Sequence, residues 1–122
     1  MPRVIHFEIP AGNPERATKF YQNVFGWKIE KWQGPEDYWL ITTGPEGEPG
    51  INGAIMVRDD PSDAVRNTID VPSADEFIAK VEDYGGKIVA PKMAVPGVGY
   101  MAYLSDTEGN IFGIMEDDPS AH

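Results

Sequence analysis

Residues 6–29 read HFEIPAGNPERATKFYQNVFGWKI, and residues 67–88 read NTIDVPSADEFIAKVEDYGGKI. The two stretches share an acid, a proline, a capped helix, an aromatic, a glycine and Lys-Ile in the same order. Self-similarity at a spacing of about 60 residues marks a duplicated supersecondary unit. In the first copy, Ile5, Phe7 and Ile9 alternate with His6 and Glu8, which predicts a strand with one apolar and one polar face. Asn13 is a helix cap, Pro14 suits the first turn, and Glu15 favours the positive end of the helix dipole. Ala17, Phe20, Tyr21, Val24 and Phe25 then form one helical stripe, and Gly26 stands where a left-handed cap is wanted.

Working outward, three strands are expected over 27–32, 37–43 and 51–57, separated by Gln33-Gly34-Pro35 and by the glycine- and proline-rich segment 44–50. A polar joint at 58–63 follows, and the order then returns. Residues 65–71 alternate, Ser73 to Glu76 is a capping box, and Phe77, Ile78, Val81 and Tyr84 make the second helical stripe. Gly85-Gly86 closes that helix. Strands are expected at 87–90, 99–105 and 110–116, with a tight turn over 106–110. The fold predicted is α+β: one domain over 1–122, made of βαβββ units at 3–58 and 64–117. Their strands form a curved mixed sheet around a cup, with the helices on its outer face.

Composition narrows the function. The 122 residues suit one domain, and 41% are hydrophobic, enough for a packed core. Twenty acidic against ten basic residues give a formal net charge of −10, which repels nucleic-acid phosphates and anionic membranes. There is no cysteine, so disulfides, thiolate metal ligands and a cysteine nucleophile are excluded. No apolar run approaches the ~20 residues of a membrane span. Met1-Pro2-Arg3 leads into a strand pattern with no secretory core, so a cytoplasmic location is expected.

Alternation assigns Ile5, Phe7, Ile9, Ile55, Val57, Ile69, Val71, Phe112 and Ile114 to the helix side. It assigns His6, Glu8, Met56, Arg66, Thr68, Asp70, Gly113 and Met115 to the other, where a ligand cup is expected. His6 and Glu8 point the same way: they are either a base with its orienter, two metal ligands, or a hydrogen-bonded pair on a polar face. Arg66 either meets a ligand's carboxylate or phosphate or neutralises Glu8 or Asp70. Tyr103 shares a face with Met101 and is either a hydrogen-bond donor to a ligand or a packing element. Of Tyr38 and Trp39, which face opposite ways, one lines the cup. Segments 44–50 and 91–99 are candidate lids. No phosphate-binding glycine loop, nucleophile elbow or HExxH occurs.

HFEIPAGNPERATKFYQNVFGW, GINGAIM, DEFIAKVEDYGGKI and GVGYMAYLSDTEGNIFGIME together resemble the vicinal oxygen chelate superfamily: glyoxalase I, fosfomycin and bleomycin resistance proteins, and extradiol dioxygenases. The last stretch is similar to the family's aromatic-x-Asp-Pro-x-Gly-Asn turn, with Thr107 in place of proline. The resemblance implies metal ligands on the first, fourth, fifth and eighth strands, usually His or Glu. Those positions fall on His6, Met56, Arg66 or Thr68, and Gly113, so only His6 survives as a ligand. It also places Tyr103 where some resistance enzymes carry a ligand-contacting tyrosine, and it implies a homodimer. The expectation is a small-molecule-binding protein of the glyoxalase-related branch, with His6, Glu8 and Tyr103 as chemical groups and no cofactor. Met56, Arg66, Thr68, Asp70, Met101, Gly113 and Met115 would contact the ligand. The alternatives are a metal-dependent lyase, isomerase or dioxygenase using a divalent ion at His6 with Glu8 and Asp70, and a bleomycin-resistance-like sequestering protein.

Overall fold

A computed structural model describes residues 2–122. The elements run β1 (Val4–Ala11), α1 (Pro14–Phe25), β2 (Lys28–Lys31), β3 (Tyr38–Thr42), β4 (Asn52–Val57), β5 (Arg66–Asp70), α2 (Ala74–Asp83), β6 (Lys87–Val95), β7 (Gly99–Ser105) and β8 (Ile111–Asp117). The order βαβββ occurs twice, and the class is α+β. The chain divides into two compact units: residues 6–65, and residues 66–122 together with residues 2–5.

In the first unit the strands lie in the order β2-β3-β4-β1. β1 and β4 are parallel, whereas β2/β3 and β3/β4 are antiparallel. The parallel pair requires a crossover, which α1, β2 and β3 supply. α1 begins at Asn13, whose side chain accepts the Arg16 N–H at 3.1 Å. It ends at Gly26, which takes a left-handed φ of 70° and donates its N–H to the Gln22 carbonyl. α1 packs on β4 and β2. Ala11, Ile29, Ile41 and Ile55 form the core beneath it, with Phe7, Ile9, Ala17, Tyr21, Trp27 and Trp39 against them.

The second unit repeats the arrangement as β5-β8-β7-β6, with β5/β8 parallel and the other pairs antiparallel. Ser73 caps α2 by accepting the Glu76 N–H at 3.2 Å. Glu116 adds a second cap, its carboxylate accepting the Ala74 N–H at 2.8 Å and tying the helix start to β8. Val71, Ala74, Ala102, Leu104 and Ile114 form this core, with Phe77, Ile78 and Val81 of α2 packed on it.

Two features depart from the sequence-based expectation. Strand β6 does not stop near residue 90 but continues to Val95, so the segment expected as a lid at 91–99 is largely strand and a short turn. Its register against β7 shifts between Ile88 and Ala90 and again between Ala90 and Met93. Each shift inserts a residue and breaks the alternation that marks a strand. Pro91 is tolerated because β6 is the last strand of the order. The α1 stripe is also only partly covered. Phe20, Val24 and Phe25 remain 57%, 55% and 59% exposed, while Ala17 and Tyr21 meet the core.

Candidate functional site

In the first unit, strand alternation puts His6 and Glu8 on the face of β1 turned away from the core. Pairing places Asn52 beside His6, Ala54 beside Glu8 and Met56 beside Pro10 on that same face. Tyr38 pairs with Met56, and Leu40 with Ala54. Trp39 pairs with Ile55 and packs into the core. Tyr38 is therefore the residue of that dipeptide that joins the polar face.

Because β4 lies between β1 and β3, Tyr38 must reach over it, a span of about 10 Å at the usual strand spacing. The Tyr38 hydroxyl donates to Glu8 Oε2 at 2.6 Å and lies 2.8 Å from His6 Nε2. The two rings stack with an interplanar angle of 18°. Since the single hydroxyl proton goes to Glu8, Nε2 of His6 is the donor to the hydroxyl oxygen. A neutral ring then has its lone pair on Nδ1, and that is where His6 takes up a proton. Glu8 is buried, at 3% exposed, and the short bond from Tyr38 satisfies part of its carboxylate. Burial lowers the His6 pKa below its ordinary 6.5, and the negative charge of Glu8 opposes that in part. The result is a hydrogen-bonded chain, His6–Tyr38–Glu8, that holds a mostly neutral imidazole in a fixed orientation.

In the second unit, Thr68 pairs with Gly113, and Gly113 with Tyr103, making one row across three strands. Asp70, Met115 and Met101 make the next row. The predicted face assignment is thus the one the register produces. The Arg66 guanidinium lies over the Tyr103 ring, 4.9 Å from its centre. A Cβ on Gly113 would stand 3.3 Å from Thr68 Oγ1 and 3.4 Å from Tyr103 Cε1, so the glycine lets the tyrosine ring settle against the strand. Asp70 exchanges two bonds with Arg3: its carboxylate accepts the Arg3 N–H at 2.7 Å, and its own N–H donates to the Arg3 carbonyl.

The structure brings His6 and Glu8 together through Tyr38, and it sets Thr68, Gly113 and Tyr103 in one row with Arg66 over the tyrosine ring. Met56 stands beside Tyr38 on its face. What sequence reasoning left open was Tyr38. A usable signal existed: Trp39 shares parity with Ile41, and two apolar residues of one parity mark the core side.

The chain belongs to the Glyoxalase/Bleomycin resistance protein/Dioxygenase superfamily, whose family model matches residues 3–114. It is 31% identical over 112 residues to a glyoxylase-like domain-containing protein of Didymella fabae, covering 88% of each chain. It is 27% identical over 118 residues to a Mycobacterium bovis relative, covering 92% of this chain but only 43% of that relative. A solved structure of methylmalonyl-CoA epimerase from Mycobacterium tuberculosis superposes with a TM-score of 0.70 at 13% identity, covering 95% of this chain and 88% of the other. That likeness shows the fold.

The residues at the positions where the superfamily resemblance implies metal ligands do not fit a divalent ion. Gly113 has no side chain, Met56 offers a soft thioether, Arg66 carries a positive charge, and Thr68, its alternative, offers only a neutral hydroxyl. Of the implied set only His6 keeps a ligand atom, its Nδ1, since Nε2 faces Tyr38. Asp70, the other acid considered for a relocated site, has one carboxylate oxygen bound to the Arg3 N–H. Among the described residues no three His, Asp or Glu side chains group as a metal site.

Proposed function

We propose that this protein binds a small molecule on the polar strand face of the first unit, without the usual metal set of its superfamily. In this reading His6 accepts a proton at Nδ1, or a hydrogen bond from the ligand, while Tyr38 and Glu8 fix its tautomer and orientation. The observation that carries the reading is the chain His6 Nε2 to Tyr38 hydroxyl to Glu8, built on a buried carboxylate. An imidazole held by a hydroxyl and a carboxylate is the arrangement that general acid–base groups share. In the second unit, Arg66, Tyr103 and Thr68 are proposed as ligand contacts, with Met101, Asp70 and Met115 beside them. A cytoplasmic homodimer is part of the proposal, because a two-fold dimer is the commonest soluble oligomer.

The test is a thermal-shift screen of polar and anionic metabolite-sized compounds on tag-free protein, repeated on His6→Ala and Tyr38→Phe. Hits that stabilise the parent are expected to lose most of their shift in His6→Ala. If every hit stabilises His6→Ala as well as the parent, the assignment to His6 fails. Stoichiometric zinc, nickel, manganese or iron in the purified protein, with stabilisation on adding it, would replace this reading by a metal-dependent one. The net charge of −10 favours one further reading, sequestration of a bulky cation. Calorimetric titration with cationic and anionic compounds separates it, since selective cation binding without turnover belongs to sequestration alone.

A further inference from the structure

A groove of about 680 Å³ lies among the end of β1, the first turns of α1 and the connection that follows β4. That volume falls within the ~300–1,000 Å³ of ordinary small-molecule pockets. His6, Glu8 and Tyr38 do not line it. Part of its wall is apolar: Phe20 and Tyr21 of α1, and Val65. Phe20 and Val65 are 57% and 61% exposed. Both line the same groove, and exposed apolar side chains that gather in one place, not scattered singly, are a feature of binding surfaces.

The groove is also lined by Arg16 and Arg58, two of the four arginines in a chain of net charge −10. Arg58 is anchored: its backbone N–H donates to the Ala11 carbonyl at 2.9 Å, and its Nη2 to the Pro10 carbonyl at 3.2 Å. Arg16 stands in the first turn of α1, where the helix dipole adds positive potential. Asp63 lines the groove too, and its carboxylate accepts the N–H groups of Asp59 at 3.2 Å and Asp60 at 3.1 Å. Both bonds fall on Oδ2 and shape the connection, and the single negative charge of Asp63 stands against two guanidinium groups.

We infer that this groove is a second binding site, for an amphipathic carboxylate whose head meets Arg16 and Arg58 and whose apolar body lies on Phe20, Tyr21 and Val65. The overall field of the protein repels anions, so two guanidinium groups beside an apolar wall are a local exception. Their forked donors suit a carboxylate. A second copy of the chain is a poorer occupant, because a two-fold contact through this groove would gather both arginine pairs into one interface.

The test uses 2-naphthoate and its cationic counterpart 2-naphthylmethylammonium, followed by calorimetry and by amide chemical shifts. Naphthoate is expected to perturb residues 9–21 and 58–65. It should bind at least tenfold more tightly than the cation. Arg16→Ala and Arg58→Lys should each weaken it roughly tenfold, the effect of losing one charge-assisted contact. Arg16 is exposed, so its variant keeps the fold, as far-UV circular dichroism would confirm. His6→Ala should leave naphthoate binding unchanged, which keeps this site separate from the polar strand face. Equal binding of the cation, full-strength binding to Arg16→Ala, or shifts confined to the strand face would each overturn the proposal. So would self-association in sedimentation that Phe20→Ser abolishes while naphthoate binding persists.

Discussion

The two units have the same element order and the same strand arrangement, yet their polar faces carry different chemistry. The first holds a chain of titratable groups, His6, Tyr38 and Glu8, at hydrogen-bond distance. The second holds a cation over an aromatic ring, Arg66 on Tyr103, above the gap left by Gly113. The cores are alike because both must cover a helix with aliphatic side chains from alternate strand positions. The opposite faces are free of that demand, so duplication preserves the scaffold while the faces diverge. The helices differ as well: α2 buries Ala74 and packs on β6, β7 and β8, whereas α1 buries no residue fully and packs on β4 and β2.

If the cores are equivalent, truncating either should cost about the same. Ile55→Ala and Leu104→Ala each remove a side chain 0% exposed, and each should destabilise by about 2–5 kcal/mol in urea unfolding. A loss in one variant but not the other would break the equivalence. The polar faces should respond unequally. Tyr38→Phe leaves Glu8 without its short bond and should cost about 1–3 kcal/mol, with a changed His6 titration by NMR. Tyr103→Leu removes the ring under Arg66, and loss of that cation–π contact should cost about 0.5–1 kcal/mol. If Tyr103→Leu proved the more damaging, the first unit would not be the one that depends on its polar chain.

The smallest effect is a dependence on pH. Burial holds His6 below its ordinary value of 6.5 in the folded protein, so the unfolded chain binds that proton first as pH falls. Stability from this group is full above pH 6.5, declines as pH drops below 6.5, and levels off beneath the folded pKa. Unfolding curves of the parent and His6→Gln between neutral and mildly acidic pH should converge as the pH is lowered. Parallel curves would mean that His6 does not titrate as its burial requires.

Most of the fold was legible in the residues, since caps and alternation are local and the repeat stated them twice. Asn13, Ser73 and Gly26 act where the sequence placed them. The end of β6 was not legible, because its two register shifts break the period of two on which strand recognition depends. The site was legible in part for a similar reason. Parity set His6 beside Glu8 and Thr68 beside Asp70, because neighbours at i and i+2 share a face whatever the rest of the chain does.

Sequence alone, then, determined the repeat, the faces of the strands and that, of the positions where the resemblance implies metal ligands, only His6 carries a usual ligand. Those are properties of residue type and local period. Only the tertiary structure decided that Tyr38 crosses β4 to join His6 to Glu8, that Asp70 bonds to the Arg3 N–H, and that Phe20 and Val65 flank a groove with two arginines. Each of these depends on which strands are neighbours and in what register, and that is set by long-range pairing, which no local pattern records.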